Sequence, residues 1–448
     1  MNIERPSFMG GRYIMERDKM FQQFLNSIVF SDEPEDITDI LTIIENPFLN
    51  KKGIDVPSLI FHRFYKNTEV PIALPLFSFY SILSAWCVLN KATYKVPLAG
   101  DRPYELDTWV MALAPSGAAK TLSIGEVLKM IPMNPETAEQ VIEPNFQGAN
   151  GPAAFVQQLD KLPDGRGFWY QDEASQMFKL IEQIGHPMAE IKEFLLKMKD
   201  HKSITRITKD DEIQTKPIVM TQFFINTIDS MARAVSDESM KDGTLRRYQF
   251  AIAQKDDRKF TDFALYELQN LSDDILVDEI LSVFSQDIQS TSFTFDDDCT
   301  SMYQKMFKVF WEKQYSKFMA GSENIYRTHM MEAFKYAVFH HIIHKKEGTL
   351  IGGESMQHGL KIVMFLLNSL QSFIKYRLNA TPEDITERGT LIENVKKFIA
   401  EQDGKKGFGL RSVYRKFNLK KDEVTTLLLA IKKHDHKFKT SLYEKIKT

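Results

Sequence analysis

One stretch constrains the fold more than any other. Residues 108–114, TWVMALA, are an uninterrupted apolar run. Its length and its flanking Pro and Gly suit a strand buried on both faces of a parallel sheet. Pro115, Ser116, Gly117, Ala118 and Ala119 then make a small-residue turn, and SIGEVLKMI continues with helical spacing after Lys120, Thr121 and Leu122. A chain passing from buried strand through tight turn into helix aims backbone N–H groups and the positive helix end at one point. That point suits phosphate. Lys120 would reach β- and γ-phosphates, the Thr121 hydroxyl would coordinate Mg²⁺, and the backbone of 115–122 would form the cradle. The pattern G-x-x-x-x-G-K-[ST] has glycine where this chain has Ala114 and Ala119. A methyl group at 119 crowds a close backbone approach. The bland reading is a Lys-Thr helix start after a turn.

A second run, Phe168-Trp169-Tyr170-Gln171, ends in Asp172-Glu173. A strand there would bury its bulky residues and present both acids at its C-terminal edge. Asp172 would then hold Mg²⁺ through water, and Glu173 would polarise the attacking water. The third run, PIVMTQFFINTI, ends near Asn226, a candidate γ-phosphate sensor with Gln222 as its alternative; strand termination is the simpler reading. Asp242-Gly243-Thr244-Leu245-Arg246-Arg247-Tyr248 precedes a fourth strand candidate, RYQFAIAQ. Arg246 or Arg247 could stabilise phosphoryl-transfer charge, from the same chain or a neighbouring one. A solvated arginine pair is the alternative. Strands alternating with amphipathic helices predict an α/β domain with a mainly parallel sheet over 95–262.

The remaining organisation follows from patterning. Residues 1–94 read as an N-terminal helical region, 263–384 as a second helical domain and 385–448 as a small terminal module. Val70–Asn90 carries no charge, but Pro71 and Pro75 interrupt it, so a buried core helix is expected rather than a membrane span. The net charge of −3 hides an asymmetry: residues 385–448 hold 16 Lys+Arg against 8 Asp+Glu, leaving −11 on the rest. Lys405, Lys406, Arg411, Arg415, Lys416, Lys420 and Lys421 coincide with a helix-turn-helix pattern, and FKTSLYEKIK is expected to close a wing. Such a module would track DNA phosphates. Two cysteines exclude a disulfide framework and a cysteine zinc site. His340 and His344 have metal-ligand spacing without the intervening acid of H-E-x-x-H, so His329, His340, His341 and His344 read as core. The first residues lack a secretory pattern, and a cytoplasmic location is expected.

The order of these segments resembles a family of phage, plasmid and genomic-island P-loop ATPases of the primase-helicase, replicative-helicase-like type. VMALAPSGAAKT, FQGANGPAAFVQQL, FWYQDEASQMF, a polar-ended strand, DGTLRRYQF and a helix led by Tyr326-Arg327 carry the resemblance over roughly 70–375. It implies a P-loop NTPase (RecA/AAA+-like) core; with the patterning above, the expected fold class is α/β with that core, an N-terminal helical region, a C-terminal helical region and a winged-helix module. It also implies ATP and Mg²⁺ as cofactors, contacts from Lys120 and Thr121, metal and water roles for Asp172 and Glu173, and Arg247 as the family's arginine. DNA, single-stranded or at an origin, replication proteins and further copies in a hexameric ring are the implied partners. Alternatives are a weakly hydrolysing or non-hydrolysing helicase loader, initiator or scaffold, a small-molecule P-loop kinase, and a packaging motor.

Overall fold

The computed structural model describes residues 55–60, 73–97, 102–115, 120–132, 142–149, 151–183, 185–207, 212–235, 245–253, 274–312, 323–379, 395–405, 408–417, 424–425, 428, 431–432 and 438–445, with positions 64, 71, 100 and 118, and excepting the side chains of 121, 122, 245, 274, 375, 377–379, 444 and 445. They belong to two compact units, Met1–Ile374 and Lys375–Thr448.

All four expected strands of the first unit form. They are β3 (Trp109–Ala114), β4 (Arg166–Asp172), β7 (Val219–Thr227) and β8 (Gln249–Ile252). They run parallel in the order β4-β7-β3-β8. Register pairs Ala114 with Thr227 and Asp172 with Ile225. Phe146 adds a single parallel bridge to Trp169 on the outer side of β4. Every residue of β3 is buried, and β7 is buried through Asn226. Continuous apolar runs, rather than alternating ones, are what a sheet covered on both faces requires.

The two faces can be read residue by residue, because side chains alternate along a strand. Val110, Ala112, Ala114, Phe168, Phe223 and Ile225 pack with helices α2 (Ala73–Leu89) and α3 (Lys120–Lys129). Trp109, Met111, Leu113, Trp169 and Phe224 pack with α4 (Pro152–Asp160), α5 (Ser175–Ile181), α6 (Glu190–Lys199) and α7 (Ile228–Ala234). The uncharged segment at 70–90 is therefore core: α2 is buried from Ala73 to Val88. Among the described residues no helix is long and apolar enough to cross a membrane. One of its serines joins it to the sheet. The Ser84 hydroxyl donates to the Leu106 carbonyl (2.8 Å), accepts from the Thr108 N–H (2.9 Å) and meets the Thr221 hydroxyl (2.8 Å), tying α2 to the sheet.

The region from 263 was expected to be helical, and its helices include α8 (Asp274–Phe284), α9 (Asp297–Phe310), α10 (Glu323–Ile343) and α11 (Gly353–Asn379). It also holds two strands the reading missed, β9 (Ser292–Phe295) and β10 (Leu350–Ile351). With β1 (Thr93–Lys95) and β2 (Pro103–Glu105) they form a second sheet, order β10-β9-β1-β2. A hairpin of β5 (Thr205–Ile207) and β6 (Glu212–Gln214) precedes β7. Gly359 lets α11 touch α10: a Cβ there would lie 2.2 Å from the Ala333 carbonyl oxygen.

A buried set of charges holds the base of β3. Asp107, two residues before the strand, meets Lys199 (3.1 Å), Lys335 (3.4 Å) and His201 (3.1 Å). Lys335 also pairs with Glu332 (3.2 Å), which accepts from the Gln249 amide (2.7 Å). Burial alone would raise the Asp107 carboxyl, but Lys199, Lys335 and His201 outweigh it and hold it well below the usual carboxylate range.

The second unit has its own small core, including Val395, Ile399, Val413, Leu428 and Leu442. In α12 (Leu410–Phe417) Val413 is buried, while Arg411, Arg415 and Lys416 are exposed. The described part of the expected wing is a turn and a short helix, α13 (Leu442–Lys445). Leu442 is buried there, and the Ser441 N–H donates to Asp403 (2.8 Å), which fixes the segment as a closing clip.

Because a buried charge stripped of its partner costs far more than the intact pair returns, Lys335→Met should destabilise the first unit by about 3–5 kcal/mol in denaturant unfolding. The depressed Asp107 carboxyl contributes stability that is complete above its unfolded pKa of ~3.9 and is lost as pH falls through its lower folded value. Asp107→Asn should therefore flatten the stability profile below about pH 4.

Candidate functional site

Parallel strands bring their C-terminal ends to one edge, and there Ala114, Asp172 and Thr227 stand on neighbouring strands. Ala114 is fully buried within β3 and pairs with Thr227 in extended backbone, so the conformation does not call for the pattern's glycine at this position. The chain turns at Pro115, whose carbonyl accepts from the Ala118 N–H (3.4 Å) and from Lys120 Nζ (3.3 Å). Lys120 opens α3 and folds back over its own turn. Ser116, Gly117 and Ala119 lie outside the described residues, as do the side chains of Thr121 and Leu122.

On β4 the alternation puts Phe168, Tyr170 and Asp172 on the same face as α3. Asp172 therefore shares a face and an edge with the Lys120 helix, with β7 between them. Glu173 follows with φ = 51°, a left-handed conformation a non-glycine residue adopts at a cost. Its N–H donates to Asp172 Oδ1 (2.9 Å). The turn exposes the Glu173 side chain just beyond the strand. Tyr170, two residues before Asp172, has a buried hydroxyl without a hydrogen-bond partner, and burial followed by the Asp172 charge raises its pKa.

The other sequence candidates go elsewhere. Asn226 has the parity of Phe224 and faces the α5–α7 layer, away from Asp172. Its Oδ1 accepts from the Ser175 N–H (3.1 Å), and its amide nitrogen lies 3.9 Å from Met231 Sδ. Gln222, its alternative, pairs with Trp109 and Trp169 in mid-sheet and accepts from the Tyr248 hydroxyl (2.7 Å). At the C-terminal end of β7, the polar residue on the Asp172 face is Thr227, which caps α7 through the Ser230 N–H (3.2 Å). Sequence reading passed over it, although two-residue periodicity carries that signal.

Arg246 and Arg247 form a short turn immediately before β8. Since β8 runs parallel to β3, they lie at the opposite edge of the sheet from Lys120. Arg247 meets Asp200 there (3.4 Å), beside Lys199 and His201 of the buried charge set. The structure thus brings Lys120, Asp172 and Glu173 to one edge, leaves Asn226 behind it and puts the arginine pair on the far side.

The histidines are packed. His329 hydrogen-bonds the Tyr248 carbonyl (3.1 Å), and the His340 ring lies tilted against His344 and His358 at 4.2 and 4.6 Å between ring centres. Burial first, then the charges of His344, Lys361 and Lys346, pushes His358 down to about 3. Among the described residues no group of three or more His, Cys, Asp or Glu is placed to hold a metal. Comparison with known proteins gives no matching family model and no matching curated protein.

Glycine occupies the left-handed region without the Cβ penalty. Glu173→Gly should therefore raise unfolding stability by about 1 kcal/mol, read as a higher denaturant midpoint at unchanged slope. An unchanged or lower midpoint would show that the strain in the turn is no larger than the roughly 0.5–1 kcal/mol by which glycine stabilises the unfolded chain.

Proposed function

We propose that this chain is an ATP-dependent, Mg²⁺-requiring DNA motor of the replicative-helicase-like kind, built on a P-loop (RecA/AAA+-like) core and serving replication of a phage or mobile element. One observation carries the reading. A lysine-led helix and an Asp-Glu strand end share one face and one edge of a parallel sheet, with a single strand between them. Two strand spacings are about 9–10 Å. That spacing is of the order of the room that a phosphate and a hydrated cation need. The all-oxygen donor set of Asp172 and Glu173 suits Mg²⁺, which prefers oxygen and keeps several waters.

In this reading Lys120 leaves its contact with the Pro115 carbonyl and neutralises phosphate charge. Asp172 would hold Mg²⁺ through water. Glu173, projected by its strained turn, accepts the hydrogen bond of the attacking water and aligns it. Bound Mg²⁺ supplies charge neutralisation at the transferred phosphoryl group. Arg246 and Arg247 lie at the far edge of their own sheet, so any role they have at a phosphate is played at a neighbouring copy's site. That favours a homo-oligomer, with a ring the expected form. The exposed Arg411, Arg415 and Lys416 of α12, on a unit of net positive charge, supply the DNA contact.

A second reading, a nucleotide-dependent helicase loader, initiator or scaffold with little or no turnover, is favoured by the methyl group of Ala119 where the pattern has glycine. Turnover measured with and without single-stranded DNA, on protein of known solution mass, separates the two. The motor reading expects DNA-stimulated hydrolysis by an oligomer. Tight ATP binding without turnover supports the scaffold. A monomer indifferent to DNA removes both.

Lys120→Ala should abolish nucleotide binding or turnover, and Glu173→Gln should bind ATP and fail to release it as product. Replacing Arg411 and Arg415 together with alanine should weaken DNA binding across sequences and flatten the dependence of log K on log salt by about 2.

A further inference from the structure

Only two residues, Glu173 and Ala174, separate the end of β4 from the first residue of α5. The first N–H groups of a helix need acceptors, and Ala174 at the N-cap has no side-chain oxygen to offer. The acceptor comes from the adjacent strand: Asn226 Oδ1 takes the Ser175 N–H at 3.1 Å. Asn226 is 1% exposed, and the Met231 sulfur at 3.9 Å is a weak partner for its NH₂ group. Two acceptors therefore bracket the left-handed residue. Asp172 holds the N–H of Glu173 and Asn226 holds the N–H of Ser175.

We propose that Asn226 is a positioning residue for Glu173: it fixes the turn by capping α5 from the neighbouring strand, instead of contacting phosphate itself. The proposal rests on the reading of Glu173 as the group that aligns the attacking water. Its chemistry differs from that of a phosphate sensor in a way that can be measured. A cap needs an acceptor, and a carboxylate serves as well as an amide or better. A sensor needs a donor toward an anion, and a carboxylate there repels it.

The experiment compares wild type, Asn226→Leu, which has similar volume and no acceptor, and Asn226→Asp. Hydrogen exchange at the Ser175 amide, without nucleotide, reads the cap. Asn226→Leu should speed it by about tenfold, the worth of one hydrogen bond, and Asn226→Asp should keep it near wild type. ATP affinity and turnover read the consequence. Asn226→Leu should leave affinity nearly unchanged and lower turnover by about 10²-fold, the range for a displaced general base, while Asn226→Asp restores a large part of it. In a Glu173→Gln background Asn226→Leu should cause no further loss, because both act through one group.

Unchanged Ser175 exchange in Asn226→Leu overturns the cap. Turnover in Asn226→Asp as low as in Asn226→Leu, with Ser175 still protected, overturns positioning in favour of direct phosphate contact. Should Asn226→Leu not fold, Asn226→Ser, whose hydroxyl is too short to reach, replaces it. Absence of turnover in the wild type would sink the ATPase reading alone, and the exchange arm would still decide whether the cap exists.

Discussion

Four strands running the same way, three of them buried on both faces and β4 half-buried toward its C-terminal end, are the constraint on which the first unit depends. A parallel pair cannot be closed by a tight turn, so each connection returns across a face of the sheet, through helices between β3 and β4 and between β4 and β7. That return covers both faces with helices and leaves the strand ends gathered at two opposite edges. The C-terminal edge receives the Pro115 turn, Asp172, Glu173 and Thr227. The N-terminal edge receives Asp107, Lys199, Lys335 and the arginine pair. The chemistry open to each edge is set by this sorting before any single side chain is considered.

The two edges are stabilised differently. At the base, four charged side chains and a histidine lie within hydrogen-bonding or ion-pairing reach of one another around Asp107. Low dielectric makes such a set costly to break and so keeps the strand bases in one arrangement. At the opposite edge the chain is held by local means: one lysine on its own turn, one carboxylate on the next N–H, one amide on a helix start. Contacts of this kind are exchanged for others at small cost, which is what the proposed uptake and release of nucleotide would require of this edge. Rigidity at the base and replaceable bonds at the edge are two results of the same parallel sheet.

Much of this architecture could be read from the sequence, because the strands that matter are mostly apolar without helical spacing. TWVMALA, GFWYQD and IVMTQFFIN have no competing helical reading of similar length, and the turn residues between strand and helix at 115–119 mark the site. The second sheet was hidden for the opposite reason. Its strands are two to four residues long and partly exposed, and Leu350–Ile351 carries no periodic signal within a helical surrounding. Asn226 stands at the expected edge, and its parity with Phe224 turns it to the face opposite Asp172. Residues just before a strand parallel to β3 lie at its base, and Arg247 stands two residues before Gln249, which sets the pair apart from the Lys120 edge of its own sheet.

The separation of the arginine pair from the Lys120 edge has a consequence for symmetry. In a two-fold dimer residue i of one copy meets residue j of the other and j meets i. A two-fold axis parallel to the strands sets like edges side by side, so it cannot bring Arg247 of one copy to the Lys120 edge of the other. An axis perpendicular to the strands turns the two sheets antiparallel and makes that contact twice at once. A head-to-tail assembly makes it once per interface, has direction, and closes as a ring or continues as a filament.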